Sequence, residues 1–382
     1  MTLSPDPHFS GKWGSVNKVV PFRSVVIFGG AGFVGSNWAY RLLKTTEAKV
    51  HIFDNLSRRG VQHNVSWLRH AAGDSERLKI TVGDVRDATL VQRAVQPATE
   101  VYNFAAQVAV TASIDDPRED FETNLGGALN ILEAARKSGH KPFLLFTSTN
   151  KVYGHLISQS LTVTPKRYTC TDQQGVNESQ PLDFYSPYGC SKGAADQYVH
   201  DYSRIFGLPT VVFRMSCIAG PRQFGTEDQG WVAHFLYSAL QDRPVTIYGD
   251  GRQVRDVLYV EDLVHAFELV RARVETTGGE IYNVGGGLEN STSLLELIAE
   301  IEHVTGKKLR YETNLPRPGD QPFYVTDFSK LRRHTGWEPK VSLPRILAHM
   351  YAWWRQNRDL FPAAVPPQVP IPALQRAPEV AS

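Results

Sequence analysis

Cysteine is scarce in this 382-residue chain: Cys170, Cys190 and Cys217 are odd in number and form no CxxC pair. That argues against a disulfide framework or a thiolate zinc site, and leaves small buried side chains as the expected role of all three. The twelve histidines contain neither an HxxxH nor an HExxH pair, so no metal is expected. An excess of one charge is also missing. With 41 basic against 39 acidic side chains, the chain offers nucleic acid no strong field. No run reaches the roughly eighteen apolar residues of a membrane helix. The opening segment MTLSPDPHFSGKWGSVNKVV lacks the apolar stretch of a signal peptide. The expectation is a cytoplasmic protein with no membrane partner. There is no internal repeat.

What is present is an alternation. Short apolar runs end at Gly29 (SVVIFG), Asp54 (KVHIFD), Asp84 (LKITVGD), Ala106 (EVYNFAA), Thr149 (PFLLFTST) and Met215 (PTVVFRM), with helix-like stretches between most of them, the first from Gly35 to Thr46. Strands rich in Val, Ile and Phe, separated by helices, read as a doubly wound parallel sheet buried on both faces. After Met215 the pattern shifts to loops rich in Gly, Pro and Arg. Helices are predicted near Trp231–Gln241, Val260–Arg273, Ser293–Thr305 and Pro344–Asn357. The expected organisation is an N-terminal extension (1–22), a dinucleotide-binding domain (23–215) to which segments near 256–284 return, a smaller mixed α/β substrate lobe (216–360), and a disordered tail (361–382).

The segment Gly29-Gly30-Ala31-Gly32-Phe33-Val34-Gly35 sets glycines at a three-residue period, directly after a predicted strand and opening a predicted helix. Glycine is needed where the turn takes positive φ and where backbone approaches a pyrophosphate, and the helix N-terminus faces the phosphate charge. Asp54 supplies the acidic residue that this arrangement requires about twenty positions on. A carboxylate there accepts hydrogen bonds from ribose hydroxyls and repels a 2′-phosphate, so NAD is favoured over NADP. Arg58, beside Arg59, is the counter-signal. Gly29, Gly32, Phe33, Val34, Gly35, Asp54, Asn55, Ser57 and Arg58 are candidate cofactor contacts, with Asp84, Val85, Ala105, Ala106 and Gln107 at the ends of the next two strands.

Tyr188 and Lys192 stand four residues apart in a predicted helix, hence on one face. A YxxxK string fixes only two positions, so its place decides. It opens the helix after the fifth strand, which ends in the hydroxyl cluster Thr147-Ser148-Thr149. Hydride transfer needs a base for the alcohol proton, and tyrosine, with an ordinary pKa of about 10, needs help near neutral pH. Lys192 and the positive nicotinamide ring stabilise phenolate in this reading, and Thr149 holds the reacting oxygen near Tyr188.

These blocks, with GDVRD, NFAAQVAV and GDGRQVRDVLYVEDL, resemble the extended short-chain dehydrogenase/reductase family of nucleotide-sugar epimerases and dehydratases, over Val25 to Trp354. The resemblance implies a Rossmann-type α/β fold, a Thr149, Tyr188 and Lys192 triad, and a homo-oligomer. The 4,6-dehydratases of the family carry an Asp-Glu pair directly after the strand-end Ser/Thr, where this chain has Asn150-Lys151. An amide and an ammonium do not supply that acid and base. The blocks FTSTNKVYG and FRMSCIAGPRQFGTEDQGWV resemble the family's 2-epimerases acting on CDP-sugars, so the expectation is C2 epimerisation of a CDP-hexose through a transient ketosugar. UDP-hexose 4-epimerisation is the alternative, and a non-catalytic NAD-binding regulatory protein is the reading of another class. Arg255 and Arg317 are candidates for the diphosphate, and Arg222, Gln223, Ser216 and Cys217 for lining the substrate channel.

Overall fold

The computed structural model describes residues 23–156, 160–171, 175–317 and 319–361. The predicted extension 1–22 and the tail beyond Phe361 lie outside them. The six apolar runs form the strands Ser24–Phe28, Lys49–Asp54, Leu78–Val82, Glu100–Asn103, Phe143–Thr149 and Thr210–Met215. Glu280–Val284 joins them to make one seven-stranded sheet, every pairing in it parallel. Alternate residues of the first strand serve opposite faces. Val25 and Ile27 pack with Trp38, Leu42 and Phe267, whereas Val26 and Phe28 pack with Ile131, Leu132 and Val199. Burial on both faces explains why the run carries no polar alternation.

Ser24–Phe28 has the second strand on one side and the fourth on the other, with Phe28 level with Phe53 and Asn103. The order of the chain reverses there, and the crevice that opens beyond the carboxyl ends of such strands is where doubly wound sheets take ligands.

The smaller lobe has its own core. Cys217–Ala219 runs parallel to Val254–Tyr259, which pairs antiparallel with Ser291–Ser293. Val245–Tyr248 pairs with Tyr311–Asn314. Leu236, Leu297, Ile346 and Met350 bring together the helices Trp231–Leu240, Leu294–Thr305 and Leu343–Gln356. The predicted helices lie within one or two residues of these. The Phe361 ring meets those of Phe224 and Tyr237 at a tilt and that of Trp353 edge-on, so the first residue of the expected tail is packed on this lobe. Within 256–284, Val254–Tyr259 stays with the smaller lobe, while the helix Val260–Ala272 and the strand Glu280–Val284 pack on the main sheet. Among the described residues no helix is long and apolar enough to cross a membrane.

Candidate active site

The first strand hands the chain to Gly29 at φ +71°, where a Cβ would lie 2.7 Å from the backbone nitrogen of Ala105. At Gly35 a Cβ would collide with the Gly29 carbonyl. Only glycine allows the loop and the following helix to sit this close to the strand ends. That helix, Phe33–Thr45, begins at Gly32 with no side-chain cap, so its first-turn N–H groups remain available to an anion. Asp54 ends its strand beside the loop. Its carboxylate accepts from the backbone nitrogens of Ala31 at 3.0 Å and Leu56 at 2.8 Å. Burial pushes its pKa up, against the pull of those N–H groups and the Arg58 charge.

A cavity of about 410 Å³ follows this crevice. Every residue expected at the cofactor lines it. Gly29, Gly32, Phe33, Val34 and Gly35 are at its glycine-rich end, with Asp54, Asn55, Ser57 and Arg58 beside them. Asp84 and Val85, then Ala105, Ala106 and Gln107, come from the next two strand ends, and Tyr188 and Lys192 are also in its lining.

Pro187–Phe206 carries the last two. Its N-cap, Ser186, accepts from the Gly189 nitrogen at 3.2 Å, and Pro187 supplies a φ suited to the first turn. Tyr188 is buried, and Thr149 stands near its hydroxyl. Burial raises its pKa to about 12, with Thr149 and Arg58 pulling it down and Asp120 pushing it up. The Lys192 ammonium donates to the Thr147 carbonyl at 2.7 Å and lies 4.1 Å from the centre of the Phe146 ring. Burial lowers its pKa to about 7, opposed by Asp196 and Asp120.

A second cavity, of about 290 Å³, meets the first at Tyr188, Val108 and Gln229. Thr149, Asn150, Lys151, Cys217, Arg255 and Arg317 line it. Arg255 is paired with Asp320 at 2.6 Å, and Arg317 lies 3.9 Å from the centre of the Tyr248 ring, facing Glu227 and Asp228. Three expected residues are placed elsewhere. Arg222 lies with its guanidinium carbon 3.5 Å from the centre of the Trp67 ring, which holds it away from the cavity. Gln223 is buried and donates to the Ile218 carbonyl at 3.0 Å, and Ser216 is turned to the Asp256 carboxylate at 2.5 Å. Cys190 is exposed, contrary to expectation, whereas Cys170 is buried and Cys217 half-buried.

Sequence reasoning missed several residues here. Lys151 donates to the Gly319 carbonyl at 3.2 Å and faces Asp320, and the amide of Asn150 is tied to Gln321 at 3.0 Å. Asp120 is fully buried against the helix that carries Tyr188 and Lys192. Lys151 was legible as a departure from the dehydratase pattern; nothing local marks Asp120.

The fold and the two cavities define an α/β enzyme in which a glycine-lined crevice meets a second cavity, one that holds several charged side chains, across one tyrosine. A family model described as GDP-mannose 4,6 dehydratase matches residues 26–350, and the chain belongs to that family of NAD-dependent nucleotide-sugar epimerases and dehydratases. It is 45% identical over 338 residues to a CDP-paratose 2-epimerase of Salmonella typhi, covering 86% of this chain and 98% of that protein. A UDP-glucose 4-epimerase of Mycolicibacterium smegmatis is 32% identical, covering 87% of this chain and 98% of its own length. Among solved structures, the Thermus thermophilus UDP-glucose 4-epimerase complex with NAD superposes with a TM-score of 0.72 at 33% identity, covering 87% of this chain and 99% of that one.

Proposed function

We propose that this chain epimerises C2 of a CDP-hexose, using NAD that it retains through the cycle. The observation that carries this reading is the place of Tyr188, in the lining of both cavities, with Thr149 beside it in the second and Lys192 one helical turn away in the first. The residues of the crevice fit a dinucleotide. The cradle has no room for a Cβ at Gly29 or Gly35, the helix end is uncapped, and the Asp54 carboxylate lines the same crevice as an acceptor for ribose hydroxyls. When bound, NAD supplies a reversible hydride acceptor.

The chain's own residues handle the oxygen and its proton. Thr149 hydrogen-bonds the sugar hydroxyl and holds it against Tyr188, which takes the proton as the alcohol becomes a ketone and returns it when the alcohol re-forms. Lys192, as an ammonium, favours the phenolate with which Tyr188 starts, and to which it reverts on returning the proton. Arg255, Lys151 and Arg317 bring positive charge into the second cavity for the diphosphate. Arg255 then exchanges Asp320 for phosphate oxygens. The 45% identity to a CDP-paratose 2-epimerase supports C2 and cytidine over C4 and uridine. We further read the protein as a homo-oligomer. The test is incubation with a panel of CDP- and UDP-hexoses, followed by NMR of C2 and C4 configuration. Inversion at C4 of a UDP-hexose alone overturns the assignment.

A further inference from the structure

The charged side chains that line the second cavity fall into two unlike groups. Arg255 and Lys151 both face the same oxygen of Asp320, at 2.6 and 3.5 Å, so two cations divide one carboxylate. Arg317 alone faces both Glu227 and Asp228, at 3.5 and 3.4 Å, and Glu227 also accepts from the Tyr248 hydroxyl at 2.6 Å. The first group has positive charge to spare and the second has negative charge to spare. A diphosphate entering this cavity is therefore drawn first to Lys151 and Arg255.

Lys151 also belongs to the turn that begins at the strand-end hydroxyl. The strand Phe143–Thr149 passes directly into the short helical turn Asn150–Tyr153, and the Thr149 hydroxyl caps that turn by accepting from the Lys151 nitrogen at 3.2 Å. The Lys151 ammonium donates to the Gly319 carbonyl at 3.2 Å and faces Asp320, which, among the contacts described, leaves one N–H for an incoming oxygen. One turn thus carries both the hydroxyl that holds the reacting oxygen and a cation for the phosphate.

That tether bears on which carbon reacts. A nucleotide-hexose carries its diphosphate on C1, so the C2 hydroxyl is on the neighbouring carbon and the C4 hydroxyl lies across the ring. With Thr149 and Tyr188 fixed, a phosphate held close to them presents C2, and one held a ring's breadth away presents C4. We propose that Lys151 selects the carbon that is inverted: with Arg255 it holds the diphosphate on the Thr149 side of the cavity, so that the C2 hydroxyl meets Tyr188. The proposal rests on the C2-epimerase reading above and names the residue that makes the choice.

Lys151→Met keeps the length of the side chain and removes its charge, and Lys151→Arg puts a charge back. NAD-loaded protein is given a CDP-hexose with free hydroxyls at C2 and C4, and NMR reads the two inversions as a ratio, which does not depend on how much of the protein is active. In Lys151→Met the ratio of C2 to C4 inversion is expected to fall about tenfold or more, and in Lys151→Arg to recover toward wild type. In calorimetric titrations the Met variant should bind CDP about tenfold more weakly and cytidine, which has no phosphate, as wild type does. Where methionine is not accommodated, Lys151→Gln carries the same expectations. An unchanged ratio, C4 product still absent included, overturns the proposal, as do equal ratios in the Met and Arg variants or an unchanged CDP affinity. A folded, NAD-loaded Met variant silent at both carbons also overturns it, because Lys151 would then belong to the chemistry and not to the choice of carbon. Wild-type protein that inverts C2 of no CDP-hexose refutes the reading on which the proposal rests, whereas wild-type C2 inversion that persists at the same ratio in Lys151→Met refutes only the role of Lys151.

Discussion

Replacing Tyr188 by Phe removes one oxygen from the meeting point of the two cavities and leaves the ring where it packs. The phenol is buried beside Thr149, whose hydroxyl accepts from the Lys151 nitrogen at 3.2 Å and donates to Asn150 at 3.3 Å. Thr149 therefore keeps its partners in the variant, and the change to folding is that of removing one buried hydroxyl, within about 1 kcal/mol. Loss of a general base typically costs 10²- to 10⁴-fold, or about 3 to 5 kcal/mol of activation free energy. The expected variant has an unchanged melting curve and nucleotide content and a kcat lower by that factor. A companion measurement uses sugar deuterated at the inverted carbon: wild-type product keeps the label, and solvent deuterium stays out. Solvent deuterium at C2 or C4 would refute the reasoning, because the inversion would then run by proton abstraction beside a carbonyl. So would a Phe variant with near-normal kcat.

Denatured wild-type protein should release NAD into the supernatant, and Asp54→Ala should weaken NAD binding by about 1 to 3 kcal/mol in a calorimetric titration; retention of NADP alone would contradict the role given to Asp54. Arg255→Ala should raise KM for the nucleotide-sugar at least tenfold with nucleotide content unchanged, since Arg255 lines only the second cavity; an unaltered KM rules it out as a diphosphate ligand. Lys192 also predicts a pH dependence of stability. Its folded pKa is depressed to about 7, so above that value the unfolded chain binds the extra proton and stability rises with pH toward the ordinary lysine value of 10.5. Between pH 7 and 9, nucleotide-free wild type should gain on Lys192→Met by up to about 1.4 kcal/mol per pH unit in urea titrations, before the raised tyrosines begin to act in the opposite sense above pH 10. Parallel curves for the two proteins would remove the depressed lysine from the account.

The parallel sheet was legible because its strands are buried on both faces, which forces continuous apolar runs between helices. The glycine loop and Asp54 were legible for a related reason: positive φ at Gly29, close approach at Gly35 and a carboxylate at a strand end each demand one residue type. The substrate side lacks such demands. A linear reading offers Arg255 for the diphosphate and Arg222 for the channel beside it, and only the fold stacks Arg222 on Trp67 while leaving Arg255 in the cavity lining. Gln223 and Ser216 look polar and available, yet each satisfies a buried backbone or side-chain group nearby. Asp120 lay in an unremarkable charged stretch, PREDF. Its burial depends on Gln107, Asn124 and Ser191 meeting from three separate segments, a relation that local periodicity does not encode.

The same distinction bears on why this scaffold favours inversion over elimination. Elimination of water requires an acid that can give up a proton and a base that can take one, both on the sugar side of the strand-end hydroxyl. At that place the chain has Asn150, committed to Gln321, and Lys151, committed to Gly319 and Asp320. Three carboxylates line the second cavity, Asp320, Glu227 and Asp228, and each faces a cation. Asp320, between Arg255 and Lys151, has its pKa lowered by those two charges against the upward push of burial. A carboxylate held so firmly ionised is a poor proton donor and has its lone pairs engaged. Tyr188 is then the group placed to move a proton at the junction of the cavities, and one group that serves as base and later as acid suffices for oxidation and return at a single carbon. In this reading the reaction is set less by Thr149, Tyr188 and Lys192 themselves than by the neutralised charges around them.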